Sequence, residues 1–221
     1  MAANITYSYP WNFPVAFPNA SWEDNFSRTV LNLGSPDMYT TIFIGTGAVE
    51  FTSDENSPDA NLATQGNIGS MSMILAHGLP VFYGKGGITK TTVSILTELT
   101  SVADMTMRAG IVGGFPTNEA QFRFDSSSDP DYQCRTSGNG TTLTTDSGAA
   151  VLDTQSLKLS IVLDSSVPDV EFLLNDVSIA THNVLASLPS QDSTMTLVLQ
   201  IRSTAAANKE MALRNVTVLW E

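Results

Sequence analysis

From Asp37 to the end of the chain, hydrophobic residues recur at every second position. Met105, Met107, Ala109 and Ile111 alternate with Thr106, Arg108 and Gly110. Leu157, Leu159, Ile161 and Leu163 repeat the pattern, as do Val170, Phe172 and Leu174, then Met195, Leu197, Leu199 and Ile201, and finally Val216, Val218 and Trp220. A period of two places one row of side chains in a core and the other towards solvent or a second layer. Turn signals separate the runs: Gly138-Asn139-Gly140, Ser165-Ser166 before Pro168, Asn175-Asp176, and Pro189-Ser190. Asn175-Asp176 stands between two alternating runs and predicts a hairpin, because both residues tolerate positive φ. Many short strands at about ten-residue spacing, with no helical pattern between them, predict an all-β antiparallel sandwich of two sheets.

Two stretches depart from this rhythm. Residues 1–22 hold Tyr7, Tyr9, Trp11, Phe13, Phe17 and Trp22, six of the chain's eighteen aromatics, with Pro10, Pro14 and Pro18 every fourth residue. Prolines so placed exclude helix and favour an extended arm. That arm would lay its rings along a surface, either its own domain's or a neighbouring subunit's. Residues 23–221 would form the sandwich. At the junction, ASWEDNFSRTVLNLG (20–34) is the one plausible helix, with Ser21 as cap and Phe26, Val30 and Leu33 on one face before Gly34.

Residues 84–92, GKGGITKTT, carry all but one feature of a deviant Walker phosphate loop. A phosphate cradle needs permissive backbone before its lysine and a helix after it. Here β-branched Thr89 fills a glycine's place, and TTVSILTELTS alternates as a strand does. The segment therefore reads as a turn in which glycines supply positive φ and Lys85 and Lys90 are exposed.

The chain's 221 residues are 42% hydrophobic and only 14% charged, with a net charge of −12. That acidity makes nucleic acid and anionic membrane surfaces poor partners. No run of eighteen apolar residues is present, and the opening MAANITYSYPWNFP has neither a basic nor a long apolar region, so no transmembrane helix or secretory signal is expected. Cys134 is the single cysteine, which fits a reducing compartment and the role of a small buried hydrophobe.

Candidate chemistry is sparse. His77 and His182 are the only histidines and lack metal spacing; His182, ending VSIATH, reads as a rim residue. Asp125, Asp129 and Asp131 in DSSSDPDY offer oxygen ligands, but their spacing matches no calcium loop and fits a solvated hairpin turn. Sandwich glycosidases carry paired carboxylates on one strand, as in E-x-D-x-x-E, and no segment here matches; Asp169-Val170-Glu171 comes nearest. No catalytic residue, cofactor or metal is expected.

The stretch from Met105 to Glu221 resembles the concanavalin A-like (lectin/glucanase) jelly-roll domains of tailed-phage virion proteins. The resemblance is carried by MTMRAGIVGGF, EAQFRFD, DYQCRTSGNGTTLTTDSGAAV, LKLSIVLDSSVPDVEFLLNDVSIATH and MTLVLQIRSTAAANKEMALRNVTVLWE. Where those domains favour Asp-Gly in the late hairpin, this chain has Asn175-Asp176-Val177. The resemblance implies an antiparallel jelly roll and a non-enzymatic virion protein on the outer capsid surface, synthesised in a host cytoplasm. Such a decoration or cement protein would dock on the major capsid protein through the arm, as a homo-oligomer for which a trimer is the expectation. The alternative it implies is a glycan-binding module for host attachment, with Tyr83, Tyr132 and Trp220 as rings on which sugars stack.

Overall fold

The computed structural model describes residues 21–24, 39–51, 60–64, 66–114 and 118–221. They run as fifteen strands: β1 (Ser21–Asp24), β2 (Tyr39–Ile44), β3 (Gly47–Phe51), β4 (Ala60–Thr64), β5 (Met71–Tyr83), β6 (Lys90–Leu99), β7 (Met105–Gly114), β8 (Asn118–Asp125), β9 (Asp129–Gly138), β10 (Thr141–Ala150), β11 (Ser156–Asp164), β12 (Asp169–Leu174), β13 (Val177–His182), β14 (Ser193–Ser203) and β15 (Lys209–Trp220). The one helical element among the described residues is a 3-10 turn, Leu185–Ser187. One sheet has the order β13-β12-β11-β6-β15-β4-β3, with β1 also on β15; the other has the order β10-β9-β8-β7-β14-β5-β2. Every pairing is antiparallel, and the two sheets pack face to face as the expected jelly-roll sandwich.

The alternating residues fill the space between the sheets. Met105, Met107, Ala109, Ile111, Leu157, Leu159, Ile161, Leu163, Met195, Leu197, Leu199, Ile201, Val216, Val218 and Trp220 all belong to one buried cluster. At its heart Phe122 of β8 meets Phe172 of β12 edge to face, with ring centroids 5.2 Å apart, so this contact joins the two sheets. Tyr132 packs edge-on against Phe122 from β9. Truncating Phe122 to alanine would cost about 3–5 kcal/mol by transfer and cavity terms together.

Hairpin chemistry follows the local sequence. Asn139-Gly140 joins β9 to β10, and Asn175-Asp176 joins β12 to β13, with positive φ at both residues of each pair. This is the conformation that two-residue hairpins need to match strand twist. The GKGG segment is likewise a turn: Gly84, Gly86 and Gly87 have positive φ, and Lys90 opens strand β6 rather than a helix. Lys85 reaches Thr194 Oγ1 at 3.0 Å, and the backbone N–H groups of Thr89 and Lys90 donate to the carbonyl of Glu221. The loop thus pins the last residue of the chain.

Two expectations are corrected. Ser21–Asp24 do not start a helix but pair with Leu219–Val216 of β15. On that side of β15 the partner strand β4 reaches only as far as Leu213, so a row of backbone groups stands open beyond it. Ladder hydrogen bonds there outweigh a local capping signal. Trp22 thereby has its backbone in the sandwich's own sheet, and residues 25–38 lie outside the described residues. His182 is not at the rim: it is 1% exposed and lies between the sheets. Its Nδ1 is 2.8 Å from Thr136 Oγ1 on β9, its Nε2 is 3.0 Å from Thr145 Oγ1 on β10, and its ring packs on Phe172. A β13 residue therefore ties the edge of one sheet to the edge of the other. Cys134, as expected, is buried, and burial pushes its thiol up to about 12.

Burial lowers the His182 pKa from its ordinary value of 6.5, so the folded protein holds the ring neutral where the unfolded chain takes a proton. The stability this contributes is complete above about pH 6.5 and is lost as pH falls through the lowered folded value. His182→Gln should flatten the dependence of the urea midpoint on pH between about 6.5 and 5. An unchanged slope in the variant would assign the acid sensitivity to other groups.

Candidate binding groove on the seven-stranded sheet

The side chains that alternate with the core on β7, β8, β9 and β14 face outward from the seven-stranded sheet. Register sets them in rows. Gln133 of β9 lies opposite Arg123 of β8, which lies opposite Arg108 of β7, which lies opposite Gln200 of β14. One step along, Arg135, Gln121, Gly110 and Val198 form a second row. Asp125, Thr106 and Arg202 form part of a third, with Asp129 opposite Asp125. The first and third rows, with Arg135 of the second, border a groove of about 300 Å³. In the second row an added Cβ at Gly110 would meet Ala120 O at 2.3 Å and Gln121 Cα at 2.7 Å. A side chain there would force β7 away from β8.

Four arginines line this groove: Arg108, Arg123, Arg135 and Arg202. They are four of the ten Lys and Arg residues in a chain of net charge −12. Asp125 and Asp129 line it as well, and a third carboxylate stands further along β8. Glu119 is fully buried, and its Oε1 accepts from Arg123 Nη2 at 3.0 Å and from Arg135 Nε at 2.6 Å. Arg123 Nε also donates to Gln121 Oε1 at 3.2 Å. Burial lowers the Arg123 pKa to about 10; Glu119 opposes that shift, and the charges of Arg108 and Arg135 add to it. Burial likewise lowers the pKa of Arg108, with Arg135 and Arg202 adding to the shift. Arg108 and Arg123 therefore repel each other in a partly dehydrated setting.

Two buried polar atoms on the same face of β8, Glu119 Oε2 and Gln121 Nε2, have no hydrogen-bond partner among the described residues. An unpaired buried polar atom costs about 1–3 kcal/mol, so a strand carrying two of them is not optimised for stability alone. Planar amides and guanidiniums in rows suit a ligand rich in hydroxyl or carboxylate oxygens, since each presents paired donors in fixed geometry.

Acids gather at the far end. Carboxylate oxygens of Asp129, Asp131 and Asp146 lie within 4.8 Å of one another. Burial raises the Asp131 pKa, with the charges of Asp146 and Asp129 adding to the rise. Such a trio has the oxygen chemistry to hold a divalent cation. It differs from the expected turn: Asp125 instead accepts from the Ser127 N–H and hydroxyl, and Asp146 joins from β10. Asp129 is already engaged by the Asp131 N–H at 2.9 Å and by Gln133 Nε2 at 2.6 Å.

The residues expected to stack on sugars are elsewhere. Tyr83 and Tyr132 are 1% exposed and Trp220 is 4% exposed, so all three rings are core and not presented to a ligand. The arm residues Tyr7, Tyr9, Trp11, Phe13 and Phe17 lie outside the described residues, as does any statement about the Trp22 side chain. Sequence reasoning missed the arginine groove. Its one sequence signal is that Arg108, Arg123, Arg135 and Arg202 all occupy the polar parity of alternating strands.

No family model and no curated protein sequence matches this chain. Solved structures do. A sialidase aligns with a TM-score of 0.64 at 9% identity over 91% of this chain, which spans 18% of the sialidase's length. A glycoside hydrolase family 16 endo-glucanase from Bacteroides ovatus aligns at 0.61 and 10% identity, over 90% of this chain and 99% of that one. The carbohydrate recognition domain of Emp47p aligns at 0.59 and 8% identity, over 92% and 97%. This chain thus has the concanavalin A-like jelly-roll fold that glycoside hydrolases and lectin domains share.

Proposed function

We propose that the protein is a non-hydrolytic glycan-binding module whose ligand lies in the arginine-lined groove. The observation that carries this reading is the groove's make-up: Arg108, Arg123, Arg135, Arg202, Gln133 and Gln200 line it with planar polar side chains, alongside Asp125 and Asp129. The fold is one on which both lectin domains and glucanases are built, so fold alone does not choose between binding and cleavage. The site does. Glycosidases need two carboxylates about 5–9.5 Å apart across the scissile bond. Glu119 and Asp125 are six residues apart on one extended strand, or about 20 Å. Between them the outer face of β8 presents Gln121 and Arg123, an amide and a cation, and the cross-strand pair Asp125 and Asp129 is held by Ser127, by the Asp131 N–H and by Gln133.

Binding without turnover is the expected behaviour. In affinity electrophoresis through embedded polysaccharides, the protein should be retarded by its cognate glycan, and Gln133→Ala with Gln200→Ala should abolish the retardation. Reducing-end release should stay at background. Release that disappears in Asp131→Asn or Glu119→Gln would replace this reading with a hydrolase.

Capsid decoration rests on the arm, and no similar structure reported above is a virion protein. Its test is separate: deletion of residues 2–20 should abolish binding to capsid shells while the sandwich stays folded. Binding retained without the arm would refute docking through it.

A further inference from the structure

Resting on the glycan-binding reading, we infer that Glu119 is a positioning residue, a buried carboxylate that presets the guanidiniums of Arg123 and Arg135 as part of the groove's binding surface. Glu119, Gln121 and Arg123 stand at alternate positions of β8 and so share its outer face. Arg123 Nε donates to Gln121 Oε1 at 3.2 Å, and its Nη2 donates to Glu119 Oε1 at 3.0 Å. Bonds to the side chains two and four residues back require the arginine to lie flat along the strand instead of standing off the sheet. Arg135 reaches the same oxygen from β9, with Nε at 2.6 Å, starting from a register position opposite Gln121. One carboxylate oxygen thus fixes two guanidiniums that come from neighbouring strands.

Stability does not account for this arrangement. The Glu119 side chain is fully buried, while those of Arg123 and Arg135 are 20% and 24% exposed. Withdrawing a carboxylate from water is repaid by ion pairing only when the geometry is good and the remaining lone pairs are also bonded. Here both arginines share Oε1, and Oε2 has no hydrogen-bond partner among the described residues. A carboxylate placed for stability would meet one guanidinium with two parallel bonds, one to each oxygen. Convergence on a single oxygen gives up that second bond and sets the two guanidiniums side by side. Both arginines line the groove.

What this hold achieves follows from the atoms it uses. Arg123 has Nε and Nη2 engaged, which leaves Nη1; Arg135 has Nε engaged, which leaves both Nη groups. Those donors lie in fixed planes, suited to the hydroxyl and ring oxygens of a sugar. Ordering a long side chain at a binding surface costs about two- to tenfold in affinity when the ligand has to do it. Glu119 does it in the folded protein, before a ligand arrives. The role is independent of the ligand's charge. The groove's own carboxylates are held separately, Asp125 by Ser127 and Asp129 by Gln133.

Two measurements on the full chain test this, the first without ligand. In NMR spectra of the free protein, the Nε–H protons of Arg123 and Arg135 should exchange with water at least tenfold more slowly than that of Arg214, which bonds Glu98 through Nη2 and not Nε. Exchange as fast as that of Arg214 would overturn the positioning role. For the second, a printed glycan array supplies the best-binding glycan for calorimetry. Glu119→Gln should weaken its binding about tenfold, and Arg135→Gln at least as much. In the Arg135→Gln background, Glu119→Gln should cost only about threefold more, since one arginine is left for it to hold. Parental affinity in Glu119→Gln, or a full further tenfold loss in the Arg135→Gln background, would overturn positioning and leave the glycan-binding reading standing. If circular dichroism shows Glu119→Gln unfolded, the exchange rates of the parent decide. Silence of the parent across the array would overturn the glycan-binding reading and this role with it.

Discussion

The register of β8 between β7 and β9 is the constraint on which the rest of the structure depends. Along this strand Ala120, Phe122 and Phe124 point to the core, while Glu119, Gln121 and Arg123 alternate with them on the opposite face, with Arg123 lining the groove. A slip of one residue would exchange the two sets, driving a guanidinium into the sandwich and a phenyl ring into water. The Phe122–Phe172 contact fixes the choice from inside, because it joins one sheet to the other. Gly110 fixes it from the side, since only a residue without Cβ allows β7 to lie so close to Ala120 and Gln121. The groove is the outer face of the same alternation that builds the core.

That coupling explains why an unfavourable charge arrangement persists. The partly dehydrated guanidiniums of Arg108 and Arg123 share the field of one buried carboxylate, and Glu119 Oε2 and Gln121 Nε2 have no partner among the described residues. Each feature costs stability. The core beneath is continuous, so the sandwich tolerates the cost. Charge collected at one cleft of an otherwise regular scaffold is the feature on which the binding proposal rests.

The other sheet supplies a polar group that instead serves structure. His182 stands inside the sandwich with both ring nitrogens bonded, to Thr136 and Thr145, and its ring packed on Phe172. Every polar atom of that side chain is satisfied, and its neutral state matches its surroundings. Glu119 and Gln121, equally buried, are each satisfied at one atom and orphaned at the other. The contrast separates a clasp between the sheets from the unsatisfied polar atoms of β8.

Periodicity in the sequence determined the sandwich. Rows such as Met105–Ile111 and Leu157–Leu163 bury as their alternation requires, and Asn175-Asp176 turns as its tolerance of positive φ requires, because both rules act within a few residues. Local signals failed where a distant partner decided. Ser21–Asp24 carry a helix cap yet join β15, whose open edge lies almost two hundred positions away in the chain. His182 ends its strand and looks peripheral, but the packing of two sheets encloses it. Tyr83, Tyr132 and Trp220 carry chemistry fit for sugars, yet parity turns them to the core. The groove is the extreme case. Its arginines lie at 108, 123, 135 and 202, on four strands, and each alone reads as a solvated face. Only strand order and register, which long-range pairing sets and spacing does not, bring the four to one groove, with Arg123 and Arg135 held by Glu119.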